Sequence, residues 1–373
     1  MQRHKTREVK VGKLVVGGDN PIWVQSMTTT VTKDIDATVK QIKRLEDAGC
    51  EIVRVAVFNK QDAYCLSEIK KRISMPLVAD IHFDYNLALI AMEQGVDKVR
   101  INPGNIEGGG KKSLVISDAR REALERESIH RENVAIVVKK AKEKRTPIRI
   151  GVNSGSLETD ILDKYGWPSP EAMVESALRH IEYFEKFGFY DTIISLKATD
   201  VETTIANYRL MAKKCDYPLH LGVTEAGLAG YGTVKSAVGI GSLLVDGIGD
   251  TIRVSLTGDP VQEIGACFDI LKATGRRVTS PELIACPECG RIQIDLEKIV
   301  KEVDERIKSN GCKKPIKISI LGCAVNGPGE AAEADIGIAG GGGEGLIFKR
   351  GKLLRKVKEK DMVDALLEEV AKL

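Results

Sequence analysis

The chain has 373 residues, enough for one large domain and one smaller domain, since domains of about 150 residues are common. Its 43% apolar and 29% charged residues exclude a disordered chain, and no apolar run is long enough to cross a bilayer. The net charge of +3 and the 5% aromatic content argue against a protein that binds nucleic acid over its whole surface. The basic start lacks a signal-peptide apolar segment, so we expect a cytoplasmic protein whose eight cysteines are reduced.

From residue 21 onward, short apolar runs alternate with amphipathic stretches of helical period, which predicts repeated βα units. The predicted strands are 21–27, 52–58, 77–83, 96–101, 148–153, 192–196, 219–224 and 251–256. Eight units in about 250 residues predict an α/β fold whose N-terminal domain, 1–275, is a (β/α)8 TIM barrel. A doubly wound sheet is less favoured because Thr28, Thr29 and Thr30 follow the first strand in place of a glycine turn.

Two segments interrupt or follow this repeat. The long connection after residue 104 contains a charged helical stretch, 118–144, which we interpret as a solvated helix covering the barrel. The polar linker 275–281 marks a domain boundary. Beyond it, 282–373 predict a smaller α+β domain with a helix near 295–309 and a strand at 316–321.

Several predicted barrel strands carry a cation where apolar residues should dominate. These cations are Arg54, Arg100, Arg149, Lys197 and Arg253. An unpaired buried cation costs several kcal/mol, and guanidinium groups match phosphate oxygens, so the surplus favours a phosphorylated or diphosphorylated small molecule at the barrel mouth. The alternative is internal ion pairing with the fewer acids of these strands, Asp80, Glu225 and Asp250.

Polar side chains also cluster at the carboxyl ends of the predicted strands, where barrel enzymes keep their active sites. They include Asn102, Asn153, Glu225 and Ser255. His82 and His220 lie in predicted strands and could act as an acid, a base or a substrate ligand. For His220, between two leucines, a hydrogen-bonded core histidine is at least as good an interpretation.

The C-terminal segment carries four cysteines with a metal-binding pattern. Cys286 and Cys289 stand in Cys-Pro-Glu-Cys-Gly, where two thiolates three positions apart can reach one metal centre. A zinc ribbon needs a second close pair, whereas Cys312 and Cys323 are eleven positions apart. Cys286, Cys289 and Cys323 therefore suit a [4Fe-4S] cluster with one iron free of cysteine, and Cys312 remains a possible fourth ligand. Cys50, Cys65, Cys215 and Cys267 are interpreted as packing residues.

The chain resembles the 4-hydroxy-3-methylbut-2-enyl diphosphate synthase family, in its bacterial two-domain form, over essentially its whole length. The resemblance is carried by VQSMTTT, RINPGN, IGVNSGSL, SLKATD, GVTEAG, DTIRVSLTGDP, CPECGR and GCAVNGPGEA. It implies that Cys286, Cys289 and Cys323 bind three irons of a [4Fe-4S] cluster and that Glu330 binds the fourth until substrate displaces it. It also implies that the diphosphate of 2-C-methyl-D-erythritol 2,4-cyclodiphosphate is held by Arg54, Arg100, Arg149, Lys197, Arg253 and Ser255. Glu225, with Asp80, His82, Asn102 and Asn153 nearby, would deliver a proton.

The implied reaction is a two-electron reductive ring opening and dehydroxylation in isoprenoid precursor biosynthesis, with ferredoxin or flavodoxin as electron donor. Two other hypotheses come from the residues alone: a zinc-ribbon barrel enzyme that hydrolyses a phosphorylated metabolite, and a zinc-knuckle protein that binds nucleic acid. We also expect a homodimer. The linker 275–281 spans at most roughly 25 Å and follows the eighth barrel helix, which ends opposite the catalytic mouth, so each cluster domain is expected to cap the barrel of its partner.

Overall fold

The structure, a computed structural model, describes residues 2–82, 84–102, 119–323 and 327–373. Parts of two predicted features lie outside the described residues, namely 103–105 of RINPGN and 324–326 of GCAVNGPGEA, as do Phe83 and Asp118. The chain divides into two compact units, Met1–Arg277 and Val278–Leu373, and this division falls inside the polar linker. Within the described ranges, no helix is both long enough and apolar enough to cross a membrane.

The first unit is a barrel of eight parallel strands, which confirms the predicted α/β barrel. An antiparallel hairpin of β1 (Val9–Val11) and β2 (Leu14–Val16) comes first. The barrel strands are β3 (Trp23–Met27), β4 (Ile52–Val57), β5 (Leu77–Ile81), β6 (Lys98–Ile101), β7 (Ile148–Asn153), β8 (Thr192–Lys197), β9 (His220–Leu221) and β10 (Thr251–Ile252). They pair in the order β8-β7-β6-β5-β4-β3-β10-β9, and a parallel bridge between Ile194 and Leu219 joins the two ends.

Helices follow the strands and cover the outside of the barrel. They are α1 (Ile35–Asp47), α2 (Lys60–Lys71), α3 (Tyr85–Glu93), α4 (Ala119–Lys144), α5 (Thr159–Tyr165), α6 (Pro170–Lys186), α7 (Val201–Ala212), α8 (Tyr231–Val245) and α9 (Val261–Ala273). Several begin at a side chain that accepts from a first-turn amide, as Asp34 does from Ala37 N and Asp200 from Thr203 N. Outward-facing strand residues such as Val53 and Ile150 are fully buried against these helices in one continuous core.

The amino-terminal end of the barrel is closed by the β1–β2 hairpin. Val9, Val11 and Val16 are fully buried and pack with Ile193 of β8. Trp23 Nε1 donates to Val15 O at 2.7 Å, which ties the hairpin to β3. The hairpin therefore shields the barrel interior from water at this end.

The predicted strands 219–224 and 251–256 are too long. β9 and β10 have two residues each, although Arg253 N still donates to Leu221 O at 3.0 Å. Beyond Leu221 the chain turns at Glu225, whose φ is +54°, so the ladder cannot continue. The residues after these two short strands are thereby free to form the mouth of the barrel.

The second unit is built on a five-stranded mixed sheet. Its strands are β11 (Glu282–Ala285), β12 (Lys317–Leu321), β13 (Ile336–Gly341), β14 (Glu344–Lys349) and β15 (Lys352–Lys358), and its helices are α10 (Leu296–Ser309), α11 (Gly327–Ala332) and α12 (Met362–Ala371). The first three strands are parallel and the last three antiparallel, paired in chain order. Since α10 connects the parallel strands β11 and β12, the carboxyl ends of both strands lie at the same edge of the sheet.

Candidate functional site

The inner face of the barrel carries six cations, which we call the cation cluster. Its members are Arg54, Lys98, Arg100, Arg149, Lys197 and Arg253. All except Arg253 are less than a tenth exposed. The alternation of side chains along a strand brings them to one interior, and Gly151 makes room for them: a Cβ at this glycine would lie 2.2 Å from Arg100 Nε.

Asp80 neutralises part of this charge. It is 3% exposed, and its carboxylate lies 3.2 Å from Arg100 Nη1 and 3.7 Å from Arg54 Nε. Burial by itself raises the pKa of this carboxyl, but Arg54, Arg100 and His82 together hold the pKa well below its ordinary value. His82 Nε2 lies 3.4 Å from Asp80 and 3.1 Å from Arg100 Nη1. The predicted residues Asp80, His82, Arg54 and Arg100 thus form one contact group, in which Asp80 holds the arginines.

Arg253 is held by an acid that the sequence analysis missed. Glu263 of α9 is 1% exposed, and its carboxylate accepts from Arg253 Nε and Nη2, each at 3.2 Å, and from Ser26 Oγ at 2.8 Å. Asp250, which the sequence analysis offered as a strand acid for internal pairing, does not serve the cluster. It pairs with Arg3 at 2.8 Å and accepts from Leu219 N, at the amino-terminal end of the barrel.

Arg149 and Lys197 have no carboxylate partner of this kind among the residues that the structure describes. Arg149 is 1% exposed, and its Nε and Nη1 have no hydrogen-bond partner among the residues that the structure describes. Burial, and then the neighbouring Arg54 and Arg100, lower the pKa of this guanidinium. Burial, and then Arg149, hold the pKa of Lys197 well below its ordinary value. Internal pairing therefore accounts for Arg54, Arg100 and Arg253, whereas Arg149 and Lys197 are left to meet an anion from outside the chain.

The remaining predicted mouth residues lie at or beyond the carboxyl ends of their strands. Asn102 is buried and donates to Ser156 Oγ at 2.8 Å, which joins the loop after β6 to the loop after β7. Asn153, with its amide oriented toward the guanidinium, accepts from Arg100 Nη2 at 3.1 Å. Ser255 and Glu225 follow β10 and β9, and Glu225 is exposed in a left-handed conformation that is unfavourable for a glutamate.

His220 is a core residue. It is fully buried, its Nδ1 lies 2.7 Å from Thr251 Oγ1, and its carbonyl accepts from Tyr208 at 2.5 Å. Burial, and then Arg149 and Lys197, hold the pKa of its imidazole well below the ordinary value, so it is neutral at physiological pH. The core interpretation of His220 accounts for these contacts.

Two cysteines of the second unit meet at one edge of its sheet. Cys286 follows β11 directly and Cys323 follows β12, and Gly322 N donates to Cys286 Sγ at 3.4 Å. Cys289 is exposed, and hydrogen bonds first from the backbone and then from the side chain of Arg291 lower its pKa. In the described part of the chain, no three His, Cys, Asp or Glu side chains are already arranged around one metal position.

Cys312 and Glu330 lie on opposite sides of β12 along the chain. Cys312 lies between the end of α10 and the start of β12, hence at the amino end of β12, where it packs against the core. Glu330 lies on α11, which follows Cys323, and it is exposed.

In the barrel, burial raises the pKa of both Cys50 and Cys267 to about 12, which agrees with their interpretation as packing residues.

Comparison with known proteins covers both units. The GcpE TIM-barrel domain matches residues 6–268, and the GcpE protein C-terminal domain matches 282–372. A 4-hydroxy-3-methylbut-2-en-1-yl diphosphate synthase (flavodoxin) from Clostridium perfringens is 56% identical over 99% of both chains. One from Caldanaerobacter subterraneus is 54% identical over 100% of this chain and 98% of that protein. Among solved structures, a dihydropteroate synthase from Stenotrophomonas maltophilia covers 72% of this chain and 98% of its own, at 11% identity and a TM-score of 0.48.

Proposed function

Because this chain belongs to the GcpE family, we propose that it carries out the reaction after which its relatives are named, with the barrel as the substrate site. It is an oxidoreductase of isoprenoid precursor biosynthesis, a 4-hydroxy-3-methylbut-2-enyl diphosphate synthase. Two electrons and two protons convert 2-C-methyl-D-erythritol 2,4-cyclodiphosphate to the linear diphosphate. Two C–O bonds break, a C=C bond forms, and the substrate hydroxyl leaves as water. Family membership removes the two zinc-based hypotheses.

The observation that carries this proposal is the excess of buried positive charge in the barrel. Four arginines and two lysines face the interior, while the carboxylates that contact them within the described residues are those of Asp80 and Glu263. A diphosphate supplies the missing negative charge, and arginine and lysine donors in a dry interior bind phosphate oxygens more strongly than they would in water.

The substrate site is proposed to comprise both paired and unpaired cations. Arg149 and Lys197 would meet the phosphate oxygens directly, since they lack a counter-charge. Arg54, Arg100 and Arg253 would add donors from positions that Asp80 and Glu263 hold rigid, so that little ordering is needed on binding. Ser255, Asn102, Asn153 and His82 lie nearer the mouth and would contact the carbon skeleton and its hydroxyls.

Proton delivery is assigned to Glu225. Its carboxyl is exposed in the turn after β9, at the mouth of the barrel. Asp80 is a poor candidate, because its depressed pKa keeps it ionised. Asp80 therefore acts by fixing the arginines, and Glu225 protonates the departing hydroxyl.

The second unit has donors that fit an iron-sulfur cluster. Cys286 and Cys323 share one sheet edge, and the N–H of Gly322 directed at Cys286 Sγ is the kind of contact that stabilises a metal-bound thiolate. Cys286, Cys289 and Cys323 would hold a [4Fe-4S] cluster, with Glu330 on its remaining iron. When bound, such a cluster passes single electrons to substrate. Flavodoxin, which the relatives' names include, is the proposed donor, and ferredoxin is the alternative.

The test is anaerobic turnover. Protein reconstituted with iron and sulfide, supplied with reduced flavodoxin and the cyclodiphosphate, should release the linear diphosphate. Glu225→Gln should lower turnover by roughly 10²-fold or more while binding substrate normally, since it loses only proton delivery. Glu182→Gln, a change of the same kind on the exposed face of α6, should behave as wild type. A fully loaded wild type that forms no product would contradict the function, and full turnover in Glu225→Gln would contradict the role of that residue.

A further inference from the structure

Lys98 is a buried lysine that belongs to the cation cluster but not to the proposed substrate-binding set. It lies on β6, two residues before Arg100, and is 0% exposed. Its Nζ donates to Gln25 Oε1 of β3 at 3.4 Å. Since β4 and β5 separate β6 from β3 in the sheet, this side chain reaches across the barrel interior, roughly 7 Å deeper along its strand than Arg100.

The surroundings of Lys98 offer no free negative charge within the described residues. Its interacting groups are Gln25 of β3, Arg54 of β4, Arg149 of β7 and His220 of β9. The other charged groups on the inner face are Asp80 of β5, Arg100 of β6, Lys197 of β8 and Arg253 after β10. Asp250, directly before β10, pairs with Arg3. Asp80 is engaged by Arg54 and Arg100. The hairpin below contributes the apolar side chains of Val9, Val11 and Val16. An ammonium at this position is therefore held by one long hydrogen bond to a neutral amide and repelled by Arg149 and Arg54.

The six cations do not respond to this repulsion equally. A guanidinium keeps its proton in a protein, whereas a buried lysine gives its proton up. Burial, and then Arg149 and Arg54, hold the pKa of Lys98 well below its ordinary value. The lysines are thus the groups through which the barrel reduces its excess charge when no anion is bound.

We propose that Lys98 is uncharged in the ligand-free protein and takes up a proton from solvent when the cyclic diphosphate binds. The inference rests on the proposed function, since it requires a diphosphate inside the barrel. The two negative charges of the ligand offset the repulsion among the arginines, and the amine then becomes an ammonium. Opening the ring frees a terminal phosphate that loses a proton near neutral pH, so the dianion becomes a trianion, and the ammonium below the phosphates compensates this added charge.

The proposal fixes the sign of the pH dependence of binding. Because binding takes up a proton, affinity for the cyclic diphosphate rises as the pH falls, until Lys98 is protonated without ligand. Each phosphate of the cyclic diphosphate is esterified to a carbon and linked to the other phosphate, so it has only one, strongly acidic, proton. The ligand itself therefore does not titrate between pH 7 and 9. Proton uptake in this range therefore belongs to the protein.

The test is calorimetric titration of the cyclodiphosphate into the full chain without reductant, so that no turnover occurs. At pH 8.5, the binding enthalpy is measured in buffers of different ionisation enthalpy, and its slope counts protons. We expect wild type to take up at least about 0.5 proton per ligand. The count can exceed one, because Lys197 can also take up a proton. Lys98→Met should bind the ligand with the count reduced by at least about half. Lys43→Met, at an exposed position on α1, should keep the wild-type count.

The outcomes separate this inference from the function on which it rests. Binding without proton uptake in wild type, or a wild-type count in folded Lys98→Met, overturns the inference and leaves the diphosphate site standing. Absence of binding in wild type overturns the diphosphate site as well. Lys98→Gln repeats the test if the methionine variant does not fold, and the wild-type count stands independently of both variants.

Discussion

Arg149 shows how a single residue can favour ligand binding at the expense of stability. Its buried guanidinium has two nitrogens without partners in the described structure and two arginines as neighbours. In the absence of ligand such a group is destabilising, because its desolvation is not repaid by an ion pair. A phosphate oxygen placed against these nitrogens recovers that energy. Binding is therefore tighter than it would be at an arginine that already forms an ion pair in the free protein.

We predict that Arg149→Met weakens binding of the cyclodiphosphate by about 1.5–3 kcal/mol, roughly ten- to more than a hundredfold, through loss of charge-assisted hydrogen bonds. The same variant should unfold at an equal or higher urea concentration than wild type, because an apolar chain of similar volume replaces an uncompensated charge. Isothermal titration and urea unfolding measure the two effects. Unchanged affinity would show that Arg149 has a purely internal role.

Some residues of the barrel site could be predicted from the sequence, and others could not. Arg54, Arg100 and Arg149 stand out because a cation in a strand covered on both faces requires an explanation. Lys98 follows the same alternation as Arg100, two residues away in the predicted strand 96–101, so the same argument applies to it although it is absent from the predicted set. Glu263 lies in the first turn of α9, a position that normally exposes an acid, and only the closed barrel brings it to Arg253. Tertiary proximity of this kind leaves no local signal.

The packing of helix α6 includes a buried neutral histidine. His180 is 1% exposed, and burial lowers the pKa of its imidazole to about 4. Its Nδ1 lies 3.1 Å from Ser176 O, and Ser176 Oγ donates to Glu158 at 2.8 Å, which anchors α6 to the start of α5. The unfolded chain protonates this histidine near pH 6.5, while the folded chain does so only near 4, so acid favours unfolding between these values.

We predict that lowering the pH from 6.5 to 4 destabilises wild type more than His180→Gln, by up to about 1.4 kcal/mol per pH unit. Both tryptophans, Trp23 and Trp167, lie in the barrel unit, so urea unfolding followed by their fluorescence reports the relevant transition. Because Glu158 Oε1 lies 3.7 Å from His180 Nδ1, both proteins are compared in a Glu158→Gln background, which removes the titration of this carboxyl. Parallel pH profiles of the two proteins would show that His180 does not carry the acid sensitivity.

The position of β12 within its sheet bears on the proposed cluster ligands. Cys312 precedes this strand and Cys323 follows it, and the five residues between its ends span about 17 Å. Cys286→Ser, Cys289→Ser and Cys323→Ser should therefore each lose iron and acid-labile sulfide, and Cys312→Ser should keep both. An iron-free Cys312→Ser protein would refute this ligand assignment.

Glu330→Ala should retain most of the iron yet lose most turnover, since Glu330 would bind one iron only until substrate arrives.

Some element boundaries were also predictable from the sequence, and others were not. The span 148–153 coincides with β7, and the charged stretch 118–144 is helical from Ala119. The last two barrel strands were overestimated, because apolar residues continue past the point where Glu225 turns the chain. Periodicity reports which face a residue presents, and it does not report where hydrogen bonding between strands stops.

For the whole molecule, the connection between the two units is shorter than its sequence suggests. Arg277 belongs to the barrel: its guanidinium pairs with Glu51 at 2.5 Å and donates to Ile22 O at 3.1 Å. The linker beyond Arg277 is thus reduced to 278–281, which spans at most about 14 Å.

The helix α8 exposes an apolar row at helical spacing, formed by Tyr231, Val234, Val238 and Val245. Apolar rows of this kind are typical of protein interfaces, which is consistent with the proposed homodimer.

We predict that the protein forms a homodimer in which each active site combines the barrel of one protomer with the cysteine unit of its partner. Glu225→Ala disables only the barrel, and Cys323→Ser disables only the cysteine unit, so each homodimer should be inactive. After subunit exchange, a heterodimer then contains one site in which both halves are intact, and up to about half of the wild-type activity per dimer should return. Differently tagged chains allow the heterodimer to be isolated and its turnover measured. As a matched control, Glu225→Ala mixed with Glu225→Ala,Cys323→Ser leaves no intact barrel and should stay inactive. Purified heterodimers of the two single variants that also stay inactive would show that each site is built within one chain.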